Sequence, residues 1–322
     1  MPPPPAPTAQ EIRAAGETDL QAVGILVMQG RITEDYQTRP NEEQEARQRR
    51  HDALTASIER TIQMAAERGA TEEQIARIRT RLTERLNDGD SAMIVAQLNK
   101  HLRIERTATI DPTLKRARYD DRDLRDVDAL MAAHGLNEND RVSLSKTVGR
   151  ILLEDREITM HPSVGLAVVS RIPKFKTDDV ARRLGIIPPP FFERGYEFQV
   201  AQVQQQGTTI VRITGTRPGR TTPTVLIETR PDQRYRMTRL VRYDENGEVA
   251  EEYLPSNYQP EDGILVPRRT EQRVAGYESS SYCIRIRTVT RVRFNQQIDP
   301  TRFEVPSECF VQDTRTATRA ED

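Results

Sequence analysis

Tryptophan is absent from the 322 residues, aromatic residues make up only 5%, and lysine occurs only at Lys100, Lys115, Lys146, Lys174 and Lys176. The positive charge is therefore almost entirely arginine, a bias that either genome composition or a need for bidentate partners produces. Lys and Arg together number 48 and Asp and Glu 49, so the net charge is −1. That balance excludes a general nucleic-acid surface, because counterion release needs a basic face without matching acids. No apolar run approaches the roughly 20 residues that span a bilayer as a helix. Two cysteines, Cys283 and Cys309, leave two states open: a disulfide in an exported protein, or two buried thiols in a cytosolic one.

Signatures of catalysis and of metal binding are missing too. His51, His101, His134 and His161 lie in separate segments with no second ligand at helical spacing, so neither a metal site nor a cofactor is expected. No nucleophile elbow, phosphate-binding loop or dinucleotide fingerprint occurs. Asp178 and Asp179 open a short helix, where carboxylates favour the helix dipole and capping explains them without catalysis. Asp120, Asp121, Asp123, Asp126 and Asp128 read as a cation cluster or as a salt-bridged helix start, and the interleaved Arg122 and Arg125 favour the latter. The chain reads as a non-enzyme.

What is present is a chain long enough to bury a core, with 36% hydrophobic and 30% charged residues. A mean hydropathy of −0.70 adds an extensive solvated surface. The opening MPPPPAPTAQEI has neither a basic n-region nor an apolar h-region, so it is not a secretory signal as written. Its texture is that of the linker found after a cleaved signal or lipobox. Residues 9–20 can form helical turns, and 25–36 read as a strand with Gly30 as a bulge. From 41 to 87, stripes at Leu54, Ile58, Ile62 and then Ile75, Ile78, Leu82, Leu86 predict an amphipathic helical hairpin, with Gly69 ending the first helix and a Thr71/Gln74 capping box opening the second. A short helix over 90–100, a strand over 102–110 and its partner over 114–119 follow. The spacing then predicts helices over 120–135 and 140–153, and strands at 158–160 and 164–172.

After a short helix closed by Gly185, three prolines at 188–190 stiffen the chain, and everything beyond is β. Strands are expected over 196–203, 208–214, 225–230, 234–243, 248–253, 264–274, 283–294 and 303–311. Asn246-Gly247 is the strongest hairpin signal among their turns, since both residues accept positive φ.

Within this meander, a strand ending in Tyr243-Asp244-Glu245-Asn246-Gly247, the entry Gly263-Ile264-Leu265-Val266-Pro267, and a last strand running into Phe294-Asn295, Ile298-Asp299 and Phe303 carry a resemblance. Together with the short helix ending in Arg183-Leu184-Gly185, they resemble the outer-membrane lipoprotein-sorting proteins, periplasmic carriers with a LolA-like fold. The resemblance covers about the last 130 residues, and the helical region upstream departs from it. It implies an α+β fold: an incomplete barrel of about eleven antiparallel strands, covered by helices, whose apolar inner face holds acyl chains. Carriers of this kind hold a lid with an arginine from an early strand, which makes Arg31 and Arg106 the lid-holding candidates.

Alternation supplies a pool for the cavity lining: Phe198, Val200, Val211, Ile213, Leu240, Ile264, Val266, Ile284 and Ile286. The alternative is that these residues fill the interior themselves. Arg285, Arg287, Arg291 and Arg293 form a stripe on the other face of their strand, either gripping anionic headgroups or a partner's carboxylates, or solvated and paired with Glu across the sheet. The expected organisation is a Pro-rich tail (1–20), an early strand (21–40), a helical hairpin insertion (41–100), strands and lid helices (101–190), the meander (191–311) and a disordered tail (312–322). The function expected is a periplasmic or envelope-anchored binder of a lipid or acylated protein, with the hairpin as lid or as dock for an envelope partner. The competing expectation is an interaction module with a solid core.

Overall fold

A computed structural model describes residues 7–37, 59–60, 62–63, 67, 71–72, 74–77, 91, 94–171, 178–187, 191–192, 195–275 and 282–314. Most of the expected hairpin over 41–100, and residues 315–322 of the expected tail, lie outside them. Of the hairpin, the Thr71/Gln74 capping box is present, each backbone amide donating to the other's side chain.

Alternating apolar runs build fourteen strands of one sheet. They are β1 (Leu26–Gln37), β2 (His101–Asp111), β3 (Arg116–Asp123), β4 (Val148–Leu152), β5 (Arg156–His161), β6 (Leu166–Arg171) and β7 (Glu197–Gln205), then β8 (Thr208–Thr216), β9 (Val225–Arg230), β10 (Arg236–Tyr243), β11 (Val249–Glu261), β12 (Ile264–Ala275), β13 (Tyr282–Arg293) and β14 (Phe310–Asp313). The order across the sheet is β14-β6-β5-β4-β3-β2-β1-β13-β12-β11-β10-β9-β8-β7. Every neighbouring pair is antiparallel except β14 with β6. The sheet does not close: β14 and β7 are its two edges. The α+β incomplete barrel is thus the observed class, with fourteen strands where the resemblance implied about eleven.

The stretch from Gly263 is central rather than peripheral, because β13 pairs with β1 in register from Val27↔Arg293 to Gln37↔Tyr282. The irregularity expected at Gly30 falls between Gln29 and Gly30, but the extra residue is Thr290 of the facing strand β13. A Cβ at Gly30 would collide with the backbone carbonyl of Thr288, which accounts for the glycine.

Helices among the described residues that accompany the sheet include α1 (Ala9–Gln21), α2 (Val127–His134), α3 (Glu138–Leu144) and α4 (Asp178–Arg183). Several sequence expectations change here. The strand expected over 303–311 starts only at Phe310, after a 3-10 turn at Pro300–Phe303; as β14 it runs through Asp313 of the expected tail and pairs with β6, away from the meander. Asp120, Asp121 and Asp123 belong to β3 rather than to a helix, which begins only after the Asp126 cap. Each of those three carboxylates accepts from an arginine: Asp121 from Arg106 across the sheet, and Asp120 and Asp123 from Arg118 and Arg125 two residues along the chain. Likewise 140–153 is not one helix: α3 ends at Leu144, and 148–152 is β4, where Gly149 leaves room for the Met160 side chain.

Helices α2 and α3 pack with the helical residues 94–98 through Val95, Met131 and Leu144. Arg125 is the polar hub of this layer. It donates to the carbonyls of Leu98 and Leu144, to Asn99 and to both oxygens of Asp123. Burial alone would raise the Asp123 carboxyl, but the Arg125 side chain and the Lys146 and Arg125 amides hold it below the ordinary carboxylate range. A depressed folded pKa stabilises above the unfolded value of about 4 and is lost as pH falls through the lowered value. Asp123→Asn should therefore cost about 3 kcal/mol near neutrality. In urea titrations the gap from wild type should narrow below about pH 4; a gap unchanged at low pH would remove Asp123 from this role.

Candidate functional site

One face of the sheet, the inner face, is covered by α1 and by α4 with the residues after it. Over β8 to β11, Val211, Ile213, Val225, Ile227, Leu240 and Tyr253 form a closed cluster with Ile12 of α1, Ile187 and Phe191. Over β1 to β3 and β12 to β13, Leu26, Met28, Ala108, Ile264, Val266 and Val292 meet Val180, Ala181 and Leu184 of the α4 segment. A third cluster lies around Ile151, Met160 and Val169, where Phe303 covers β4 to β6.

Each covering helix has its own anchor. Asp19 of α1 pairs at 2.9 Å with Arg236, which is 1% exposed and also donates to the Leu265 carbonyl. Burial pushes the Arg236 guanidinium down, and Asp19 opposes it. Around α4, the Tyr253 hydroxyl donates to the Arg182 carbonyl at 2.7 Å and the Met237 amide to the Gly185 carbonyl at 2.8 Å. Gly185 has φ 66° and sits against the Tyr258 hydroxyl, leaving no room for a side chain. Enclosure, with Tyr253 beside it, pushes the Tyr258 hydroxyl well up, so it stays protonated and donates to the Met237 carbonyl.

Among the clefts that open on this face, two lie beside the covering helices. One, of about 180 Å³, lies beneath α4 and is lined by Arg106, Arg182, Arg183, Arg285 and Arg287 with Ile32, Tyr253, Thr270 and Gln272. The other, of about 410 Å³, lies between α1 and β7, where Phe192, Tyr196 and Phe198 cluster with ring centroids 5.5 and 5.9 Å apart.

The residues expected to line a cavity separate into three groups. Phe198 lines the aromatic cleft, while Val200, Val211, Ile213 and Leu240 pack in the cluster under α1. Ile264 and Val266 pack under α4. Ile284 and Ile286 alternate with the cleft-lining Arg285 and Arg287, which places them on the outer face, opposite Asp35 and Thr33 of β1. Arg31 is exposed and lies out of phase with Ile32, away from α4. Arg106 lies in the cleft beneath α4, held bidentate by Asp121 at 2.5 and 2.6 Å. The arginine reaching the α4 segment's backbone is Arg287, 3.5 Å from the Arg183 carbonyl. No disulfide joins Cys283, buried on β13, to Cys309, which packs beside Ile151 and Phe303.

The stripe on β13 divides. Arg285 and Arg287 line the cleft, but the irregularity opposite Gly30 shifts the phase, so that buried Val289 and Val292 face inward and Arg291 and Arg293 lie exposed on the other side. Arg285 also pairs with Glu34 across the sheet. Arg183 stacks 4.8 Å above the Tyr119 ring, which Arg106 and Arg150 also approach. Sequence reasoning missed the cleft; its only sign was the arginine alternation on β13. Among the described residues, no group of three His, Cys, Asp or Glu is placed to hold a metal ion, and no helix is long and apolar enough to cross a membrane.

No family model matches the chain, and no curated protein matches it. Solved structures similar to it include a domain assigned to outer membrane lipoprotein sorting from Vibrio parahaemolyticus, 8% identical with TM-score 0.45, covering 91% of this chain and 95% of that one. A DUF1329 family protein from Desulfovibrio piger is 10% identical with TM-score 0.44, covering 91% and 97%. A LolA superfamily protein from Nitrosomonas europaea is 10% identical with TM-score 0.42, covering 92% and 97%.

The α1 anchor is testable on its own. Asp19→Ala leaves the Arg236 guanidinium buried without its carboxylate and should lower stability by about 3–5 kcal/mol, read from the urea midpoint. A loss below about 1 kcal/mol, the worth of an exposed pair, would show that α1 is held by its apolar contacts alone.

Proposed function

We propose that this chain is a non-catalytic, carrier-like protein of the cell envelope that binds a lipid or an acylated protein on the inner face of its sheet. The observation that carries the reading is the construction of that face: a broad apolar surface on an open sheet, covered by two short helical segments with a cleft beside each. The aromatic cleft at α1 falls within the roughly 300–1,000 Å³ typical of sites for organic ligands. The resemblance of Tyr235–Phe303 to the lipoprotein-sorting proteins supports the same reading. The helical hairpin expected over 41–100, most of which lies outside the described residues, is the dock for an envelope partner on this reading.

A second reading has its own observation. Val211, Ile213, Ile227 and Val266 are 0% exposed, so much of the inner face is already filled by the protein itself. On that reading the chain is an interaction module, and a ligand enters only if α1 or α4 lifts.

Native mass spectrometry of the protein taken from its own envelope, with titration of a dansyl-labelled fatty acid, separates the two. The carrier reading expects a co-purifying lipid and one probe per chain with Kd near the micromolar range, about −8 kcal/mol. Phe198→Ala should weaken the probe about tenfold, as loss of roughly 1.4 kcal/mol of aromatic contact implies. If no lipid co-purifies and the probe does not bind, the interaction module replaces the carrier.

A further inference from the structure

We infer that the cleft beneath α4 is an anion site that takes the phosphate headgroup of an amphiphile. The inference deepens the lipid reading and rests on it for the acyl chain, while the anion site stands on the cleft alone.

Five arginines line it from three elements: Arg182 and Arg183 from α4, Arg106 from β2, and Arg285 and Arg287 from β13. No carboxylate lines the cleft among the described residues. Glu34, on Arg285, and Asp121, on Arg106, approach this set from the sheet side, with side chains 12% and 3% exposed. Those two contacts orient Arg285 and Arg106. Arg182 makes no ion pair among the described residues, and its backbone carbonyl is occupied by the Tyr253 hydroxyl, which fixes the end of α4 over the cleft. Gln272 accepts from Arg285 and donates to Glu251, so the polar floor is oriented as well.

Like charges gathered in a partly enclosed site repel, and an anion offsets that repulsion better than water does. Guanidinium forks arriving from several sides can each engage a different pair of oxygens of a tetrahedral phosphate, whereas a planar carboxylate offers only two oxygens in one plane. Volume decides which part of a ligand enters. About 180 Å³ holds a headgroup, and it falls short of the roughly 300 Å³ at which sites for whole organic ligands begin. The binding surface is therefore divided, with the charged group beneath α4 and the acyl chain on the apolar face.

Calorimetric titration of the full chain with dihexanoyl phosphatidic acid, dihexanoyl phosphatidylcholine and inorganic phosphate tests this, beside the dansyl fatty acid. Phosphatidic acid should bind at least tenfold more tightly than phosphatidylcholine, and more weakly as salt rises. Arg182→Gln and Arg287→Gln should each lose tenfold or more for phosphatidic acid while keeping the wild-type melting transition. Arg291→Gln and Arg293→Gln, which remove the same charge from the other side of β13, should stay within twofold. Arg182 is only half-buried, so its variant keeps the test open should Arg287→Gln fail to fold. Inorganic phosphate binding as tightly as phosphatidic acid would assign the site to the free anion and overturn the headgroup. Fatty-acid binding with no preference for phosphatidic acid over phosphatidylcholine would overturn the anion site and leave the lipid reading standing. Phosphatidic-acid binding that survives Arg182→Gln and Arg287→Gln unchanged would overturn the placement.

Discussion

The structure depends on β1, which pairs with β2 on one side and with β13 on the other. Without that strand, the hairpins from β2 to β6 and the meander from β7 to β13 would be two sheets, each with a bare edge open to aggregation. The ladder joins segments at opposite ends of the chain, yet closure entropy grows only logarithmically, by about 0.6 kcal/mol for each doubling of the loop. Leu26, Met28 and Ile32, all 4% exposed or less, offset this with about 1.5–3 kcal/mol each.

The same strand decides which arginines face inward. Gly30 lets β1 approach the Thr288 carbonyl, and the irregularity changes the phase of β13 between Arg287 and Arg291. A perfect ladder would keep all four arginines on one face. The bulge divides them, leaving Arg285 and Arg287 beneath α4 with Arg106. A local departure from regular pairing thus shapes the charge of the cleft.

Arginine also serves where it contacts no cleft. Arg125 collects three backbone or amide oxygens and a carboxylate to bind the helical layer to β3, and Arg236 ties α1 to the sheet. Such buried pairs are costly to break because the remaining charge cannot be solvated, whereas exposed pairs such as Lys115–Glu154 contribute little. The near equality of basic and acidic residues has its structural counterpart in these pairs, and the acidic run at 120–123 belongs to it.

Local alternation, turn chemistry and capping made most strands between 196 and 294 legible, with the Thr71/Gln74 cap and an irregularity at Gly30, because these have local physical causes, while the open barrel was implied by the resemblance. Sequence alone misread 120–123 and 148–152 as helical, since a short strand rich in charge shows no alternation until its cross-strand partners are known. Alternation also separates the two faces of a strand without saying which one the helices cover. Only the tertiary structure decided that Ile284 and Ile286 face out while Arg285 and Arg287 face in, that Arg31 and Arg106 part company, and that β13 lies in the middle of the sheet. Those outcomes follow from a pairing between the two ends of the chain and from where α1 and α4 come to rest, and no window of neighbouring residues contains either.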